Sequence, residues 1–160
     1  MKILEKLSCR EEELFLALLE ETDAPVLALC EAVCFPSDPW SEASFAENIK
    51  NPACRMYAAL DRQMQNIVAY GVLYLAVDEG DLANIATLPD MRNRGVGGAL
   101  LDAMLEKAFG DGALRIFLEV RESNSSARGL YASRGFAEIG KRKRYYKNPT
   151  EDAVLMMLER

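Results

Sequence analysis

The chain has 160 residues, a length at which one hydrophobic core and one domain are expected. Half of the residues are apolar and 28% are charged, a balance that excludes an intrinsically disordered or collagen-like chain. The sequence contains no histidine, which excludes every mechanism that uses an imidazole as a base or a metal ligand. Acid–base chemistry must therefore use carboxylate, tyrosine, cysteine or lysine side chains.

Charge is distributed unevenly along the chain. The net charge is -6, with 6 basic against 14 acidic residues in positions 1–80 and 13 against 11 in positions 81–160. A negative protein lacks the positive field that general nucleic-acid binding requires, so no nucleic-acid partner is expected. The acidic half can attract a cationic substrate and the basic half can hold an anionic cofactor. Solvated surfaces without partners explain the asymmetry equally well.

Membrane and metal sites are not expected. No apolar run reaches the roughly 18 residues of a membrane span, and charges at Lys2 and Glu5 come too early for a signal peptide. The sequence therefore predicts a cytoplasmic protein with no membrane partner. Cys30 and Cys34 lie four residues apart in an apolar run, but no second pair or histidine completes a zinc set. We expect buried thiols and no metal.

The first 50 residues contain one ambiguous segment and two predicted helices. Ser8 followed by Glu11 matches a capping box for a helix, whereas the apolar run 14–19 would also serve as a buried strand. A helix is predicted from Asp23-Ala24-Pro25 to about Phe35. Ser41 is the predicted cap of a second helix that ends near Lys50.

From residue 55 onward the pattern changes to strands, beginning with an antiparallel meander. Its strands are 55–60, 67–77 and 82–88, and its second turn is 78–81. A glycine-rich bend at 94–98 then leads into a helix. The remaining predictions are a strand at 114–120 buried on both faces, a short helix at 124–133 ended by Gly135, and a hairpin of strands 136–146 and 153–158. The architecture is a mixed α/β sheet with helices on it.

The glycine bend predicts an anion site, because backbone N–H groups at a helix N-terminus bind anions without a lysine. A dinucleotide-binding fingerprint would need a small residue in place of Leu100, and a Walker loop would need Lys and Ser/Thr in place of Ala99 and Leu100. The pattern that remains is Arg92-x-x-Gly95-x-Gly97. A tight turn without a ligand is the alternative interpretation.

This pattern, between a strand and an amphipathic helix, resembles the acetyl-coenzyme A loop of the GNAT acetyltransferases. Further blocks resemble the RimI branch of that family: 39–41, 84–86, 118–124, 130–136, 144–146 and 151–153. The likeness runs from about Asp23 to the C-terminus. It implies an α/β GNAT acyl-CoA N-acyltransferase fold, with a mixed, largely antiparallel central sheet flanked by helices, as a single domain over 1–160.

The resemblance also implies an activity and a cofactor site. The RimI branch transfers acetyl from acetyl-CoA to the N-terminal alanine of the eighteenth protein of the small ribosomal subunit, which makes that N-terminus the expected partner. The residues implied to hold the cofactor are Ile85, Ala86, Thr87, Asn93, Arg94, Gly95, Val96, Gly97, Gly98 and Asn124. Two features depart from the family: Gly98 replaces a longer, frequently basic residue, which predicts a weaker hold on the cofactor, and residues 1–13 extend the usual start.

Two residues are candidates for the catalytic groups. Glu119 interrupts an apolar strand, where an ionised side chain is costly without a partner. A carboxylate can deprotonate an α-amino group, whose pKa is about 7.7 to 8.0, more readily than a lysine amine near 10.4. An ion pair with Arg121 or Arg115 is the alternative role for Glu119. For Tyr131, the resemblance implies the proton donor to the leaving thiolate, whereas its residue type alone favours packing.

Direct transfer is the predicted route, because none of the four cysteines falls in the cofactor or catalytic blocks. Trp40 is a candidate anchor of the substrate-side loop, with core packing as its alternative, and Tyr145 and Tyr146 are candidates for positioning the acceptor.

Two other functions stay open at this point. One is acetylation of a small amine or a lysine. The other is a non-catalytic cofactor-binding subunit, which a salt-bridged Glu119 would favour.

Overall fold

The computed structural model describes residues 1–10 and 12–160. In this part of the chain the strands are β1 (Lys2–Leu7), β2 (Leu14–Leu18), β3 (Cys54–Leu60), β4 (Ile67–Ala76), β5 (Glu79–Thr87), β6 (Arg115–Arg121), β7 (Ala137–Tyr146) and β8 (Glu151–Glu159). The helices are α1 (Ala24–Cys34), α2 (Glu42–Lys50), α3 (Val96–Gly110) and α4 (Ser125–Ala132).

The strands form one sheet in the order β1-β2-β3-β4-β5-β6-β8-β7. All neighbouring strands are antiparallel except β5 and β6, which are parallel. Helix α3 makes the crossover that a parallel pair requires. The last strand, β8, inserts between β6 and β7, so β7 forms an edge of the sheet.

Two apolar cores lie on opposite faces of the sheet, because side chains alternate along each strand. On one face, α3 and α4 pack through Leu100, Leu101, Met104 and Tyr131 against the sheet. On the other face, α1 and α2 pack through Leu27, Cys30 and Phe45. Strand β3 shows the alternation directly, since Tyr57 belongs to the first core and Met56 to the second.

Most of the predicted elements are confirmed. Helix α1 begins after Asp23 and carries proline in its first turn, and the Ser41 hydroxyl caps α2 by accepting from the Ser44 N–H at 3.1 Å. The meander, the helix after the glycine bend and the C-terminal hairpin all form. Asn124 caps α4, and Gly135 follows that helix in the left-handed region at φ 90°.

Two expectations need correction. The turn predicted at 78–81 is a two-residue turn at Val77 and Asp78, because β5 already pairs with both neighbouring strands from Glu79 onward. The strand at 114–120 is not buried on both faces: Ile116 and Leu118 are buried, whereas Phe117 on the opposite face is only half-buried.

For the N-terminal segment the sequence allowed either a helix or a buried strand, and the strand is confirmed as β2 (Leu14–Leu18). β1 precedes it as a strand that the sequence pattern did not predict. Glu11, half of the capping-box pattern, lies outside the described residues. Among the described residues, no helix has the length and apolar character needed to cross a bilayer.

The first turn of α3 packs tightly on the end of β5. A Cβ atom added at Gly97 would lie 2.9 Å from the Thr87 hydroxyl oxygen, closer than a carbon can normally approach. The glycine therefore sets the distance between the helix and the strand.

We expect Gly97→Ala to lower the free energy of unfolding by about 1–3 kcal/mol, the usual cost of overpacking. Combining it with Thr87→Ala, which removes the colliding hydroxyl, should recover most of that loss. Urea unfolding measures both. Gly110→Ala, at the other end of α3 with no atom within 4 Å of its added Cβ, is the matched control and should be neutral. Equal losses in the single and double variants would contradict the contact.

Candidate active site

The sheet opens between β5 and β6. The two strands pair only from Glu79 with Arg115 to Leu82 with Leu118. Beyond that point β5 continues on β4, with Ile85 opposite Gly71, while β6 continues on β8. A register shift in the β4–β5 pairing leaves Ala83 unpaired at the point of separation. Among the described strands, none pairs with the facing edges of β5 and β6 beyond Leu82, so their outward backbone groups are available to a ligand.

A cleft of about 560 Å³ occupies this opening. One wall is the end of β5 with Asn84 and Ile85, and the other is the end of β6 with Glu119. The segment after α1 and the β7–β8 hairpin close its two ends. The size is typical of a small-molecule or cofactor site.

The glycine bend lies at the end of β5. Asn93 and Gly95 both have positive φ, 61° and 80°, which turns the chain so that α3 starts at Val96. The Arg92 Nε–H donates to the Thr87 carbonyl oxygen at 3.1 Å and fixes the bend to the strand. The first-turn amides of α3 have no intrahelical acceptor and carry the positive end of the helix dipole, so the bend is suited to an anion.

The β1–β2 hairpin contacts the same bend. The Cys9 thiol donates to the Arg94 carbonyl oxygen at 3.4 Å, and the Arg94 guanidinium pairs with Glu12 at 2.8 Å. The N-terminal extension therefore supports the outside of the predicted cofactor loop. This contact was not expected from the sequence, because it joins residues 85 positions apart.

Glu31 is a buried carboxylate at the cleft, with only 1% of its surface exposed. It accepts hydrogen bonds from the Tyr70 hydroxyl, from the Asn84 amide at 3.2 Å and from the Trp40 backbone N–H at 3.4 Å. Burial, followed by the contact with Glu31, raises the pKa of Tyr70, so the phenol remains a donor. Three donors compensate the buried charge and tie α1 to β4, β5 and the segment before α2.

Glu119 lies on the cleft with a quarter of its side chain exposed and forms an ion pair with Arg142 on β7, at 3.0 Å from Nε to Oε1. The Tyr145 phenol faces the same carboxylate, which raises the pKa of that phenol. The pairings considered from the sequence are not formed: Arg121 pairs with Glu151 and Arg115 with Asp78 and Glu79.

Tyr131 projects from α4 into the cleft lining, with 7% of its surface exposed. Burial raises its pKa to about 12, with a smaller contribution from Tyr146, so its phenol stays protonated at neutral pH. Its ring packs on Phe136 with centroids 5.8 Å apart. Tyr146 lines the cleft as well, beneath the Arg121 guanidinium at 4.3 Å from the ring centroid.

Besides the acceptor-side candidates Trp40 and Tyr146, the cleft brings together four of the predicted catalytic and cofactor-binding residues: Ile85, Glu119, Asn124 and Tyr131. The others lie beyond its lining, at the end of β5 and in the bend. Ala86 packs in the α1 core and Val96 is 1% exposed in the α3 core, so only their backbone groups can reach a ligand. Asn93, Arg94 and Gly95 are exposed in the bend, whereas Gly98 is buried beneath the Arg134 guanidinium.

Sequence reasoning missed several residues of the cleft. Glu31 had a usable signal, since it is the one charged residue in the helix Ala24–Cys34. Arg142, which is outside the lining but pairs with Glu119, had no such signal, because it lies 23 positions from Glu119 in a basic stretch. Cys34 also lines the cleft, although it lies outside the sequence blocks considered. Burial raises the pKa of its thiol, which leaves it a poor nucleophile at neutral pH. Among the described residues, no cluster of metal ligands is present.

Comparison with known proteins identifies this architecture. The Acetyltransferase (GNAT) family matches residues 18–136. The [ribosomal protein bS18]-alanine N-acetyltransferase of Escherichia coli strain K12 is 35% identical over 142 residues, which cover 88% of this chain and 93% of that protein.

Solved structures agree. The crystal structure of the ribosomal-protein-S18-alanine N-acetyltransferase from Escherichia coli superposes with a TM-score of 0.84 at 33% identity, covering 91% of this chain and 93% of that one. A GNAT family acetyltransferase from Elizabethkingia anophelis, solved with acetyl-CoA bound, has the same fold with a TM-score of 0.75 at 21% identity, covering 92% and 98% of the two chains.

These matches confirm the predicted fold class, a mixed and mostly antiparallel sheet flanked by helices. They also confirm the resemblance drawn from the glycine bend and the RimI-like blocks. The chain belongs to the GNAT family of acetyltransferases, which use acetyl-CoA, and is related to the ribosomal-protein alanine N-acetyltransferases.

Proposed function

We propose that this enzyme transfers acetyl from acetyl-CoA to the N-terminal alanine of ribosomal protein bS18. The observation that carries the proposal is the joint position of Glu119 and Tyr131 on one cleft, in a chain 35% identical to an enzyme of that activity over nearly its whole length. One continuous sheet from Lys2 to Glu159 supports treating residues 1–160 as one catalytic domain.

Acetyl-CoA fits the opening between β5 and β6. The backbone groups of Ile85, Ala86 and Thr87 on the outer edge of β5 would hold the pantetheine arm, with Asn124 on the opposite side. The amides of 93–98 would hold the diphosphate, since they combine left-handed turns with a helix N-terminus. When bound, the cofactor supplies an activated acetyl thioester.

Glu119 takes a proton from the acceptor amino group, directly or through one water. The neutral amine then attacks the acetyl carbon, the bond from that carbon to sulfur breaks, and the nitrogen gives up its second proton to solvent as the amide forms. Tyr131 supplies a proton to the departing sulfur, because its buried phenol is protonated throughout the neutral range. The three-donor contact at Glu31 holds Trp40 beside the cleft, where the ring packs on Phe45 at 5.6 Å and borders the entry of the acceptor.

The ion pair of Glu119 with Arg142 favours the alternative of a non-catalytic cofactor-binding subunit. A substrate can replace Arg142 in this pair, however, because 56% of the Arg142 side chain is exposed to solvent and exposed ion pairs are weak. We infer that an incoming ammonium group replaces Arg142 on Glu119. Thiol release with different acceptors distinguishes acetylation of a small amine or a lysine from N-terminal acetylation.

Thiol release from acetyl-CoA tests the three functions. A peptide with the N-terminal sequence of bS18 is compared with the same peptide blocked at its α-amino group, with a peptide whose only amine is lysine, and with spermidine. Release with the free N-terminus alone supports the proposal. Release with lysine or spermidine alone supports the other enzyme class, and calorimetric binding of acetyl-CoA without release to any acceptor supports the non-catalytic subunit.

Glu119→Gln should lower kcat for the bS18 peptide by about 10²- to 10⁴-fold, the usual contribution of a general base. The calorimetric Kd for acetyl-CoA should change less than about twofold, since binding relies on backbone groups. Glu122→Gln is the matched control, a carboxylate three positions later that pairs with Lys141. It should retain kcat. Loss of rate in both variants, or in neither, would remove the role assigned to Glu119.

The pH dependence of kcat tests Tyr131. A raised pKa means that the neutral, proton-donating form persists to higher pH, so kcat should not fall between about pH 8 and pH 10, where an ordinary tyrosine begins to ionise. Tyr131→Phe should lower kcat by about 10²-fold across that range. Tyr57→Phe, a buried tyrosine on β3, controls for loss of a core hydroxyl. A fall of the wild-type rate centred near pH 10, or full activity of Tyr131→Phe, would show that another group protonates the thiolate.

A further inference from the structure

Arg134 lies directly on the first turn of α3. It follows α4 in the chain, and its guanidinium covers Gly98 in the predicted cofactor loop. A Cβ atom added at Gly98 would collide with Nη2 and lie 3.3 Å from Cζ. The guanidinium therefore occupies the space that any side chain at position 98 would need.

Asp102 binds this arginine through both of its carboxylate oxygens. Nε lies 2.9 Å from Oδ1 of Asp102 and Nη2 lies 3.2 Å from Oδ2, while Nη1 donates to the Ser133 hydroxyl at 2.8 Å. Two planar N–H···O contacts to one carboxylate fix the orientation of the guanidinium. The side chain is 29% exposed, so it borders solvent at the bend.

The placement is unusual electrostatically. A cation at a helix N-terminus opposes the helix dipole, whose positive end lies there. Asp102, in the second turn of α3, compensates this cost. The contacts of the described residues use three of the five guanidinium N–H groups, which leaves one donor on Nη1 and one on Nη2.

We propose that Arg134 is a cofactor-binding residue that contacts a phosphate group of CoA and takes the place of a side chain at position 98. The proposal rests on the proposed function only in needing CoA at the bend. The guanidinium lies over Gly98 in the first turn of α3, and it matches phosphate oxygens in charge and geometry. Asp102 is a positioning residue, since it orients the guanidinium. Its own negative charge would repel a phosphate.

Calorimetry of CoA binding by the Arg134→Met variant tests the contact, because methionine keeps the apolar stem and removes the charge. We expect the Kd to rise about tenfold, the usual effect of one charge-assisted hydrogen bond. Arg115→Met is the matched control: Arg115 is also paired and partly exposed, but it is the first residue of β6, away from the cleft. It changes the net charge equally and should shift the Kd less than about twofold.

Dephospho-CoA, which lacks the 3′-phosphate, identifies the phosphate group. A tenfold loss for both ligands places Arg134 on the diphosphate, and a loss confined to CoA places it on the 3′-phosphate; each supports the proposal. Gly98→Arg in the Arg134→Met background returns a guanidinium to the same space and should restore the Kd to within about threefold of wild type. This double variant also separates loss of a contact from general damage to the fold.

Wild-type affinity of Arg134→Met for both ligands would overturn the proposal. So would a loss in Arg134→Met that is equalled in Arg115→Met. Failure of the wild-type protein to bind CoA is a different result, because it contradicts the proposed function and the role of Arg134 together, whereas the two results above contradict only the role of Arg134.

Discussion

The separation of β5 and β6 is the constraint on which the site depends. The strands are held together over four residue pairs, where Ile116 and Leu118 pack beneath α3. They then follow different neighbours, β4 and β8, and the unpaired Ala83 marks the change. If both strands ended at their last paired residues, no cleft would form between them. Because the strands continue apart, Ile85 and Glu119 face one opening from opposite sides.

A second constraint holds the acceptor side against this opening. The segment after α1 is mostly exposed, and apolar burial contributes little to its position. Hydrogen bonds to the buried carboxylate of Glu31 fix the segment instead, since this carboxylate accepts from the Trp40 backbone and also from Asn84 on β5. Removal of any donor would leave part of a charge uncompensated in the interior, which is costly. The acceptor wall and the cofactor wall are therefore fixed to the same carboxylate.

Local patterns in the sequence were sufficient for most elements and for the glycine bend. The cap at Ser41, the proline in the first turn of α1 and the Asn124 cap act within three or four residues, so sequence predicts them well. Its position in an apolar strand made Glu119 a candidate, the resemblance pointed to Tyr131, and both lie on the cleft. Composition alone gave neither role, because a charged residue in a strand and a buried tyrosine have commoner structural explanations.

Long-range pairings were beyond this reasoning. The partner of Glu119 is Arg142 and not Arg115 or Arg121. β8 lies between β6 and β7, so Arg142 on the basic edge strand reaches Glu119 across β8. Gly98 was expected to weaken the hold on the cofactor, yet Arg134 fills the position from the turn that follows α4. The contact of Cys9 with the bend likewise depends on a hairpin that no local signal predicted.

Hydrogen–deuterium exchange with and without acetyl-CoA tests the central claim most directly, that the ligand occupies the separation of β5 and β6. We expect slower exchange on binding at amides of 83–87 on the free edge of β5 and of 93–98 in the bend, with β1, β2 and β3 unchanged. Protection confined to other parts of the chain, or equal exchange with and without the ligand in both segments, would contradict it.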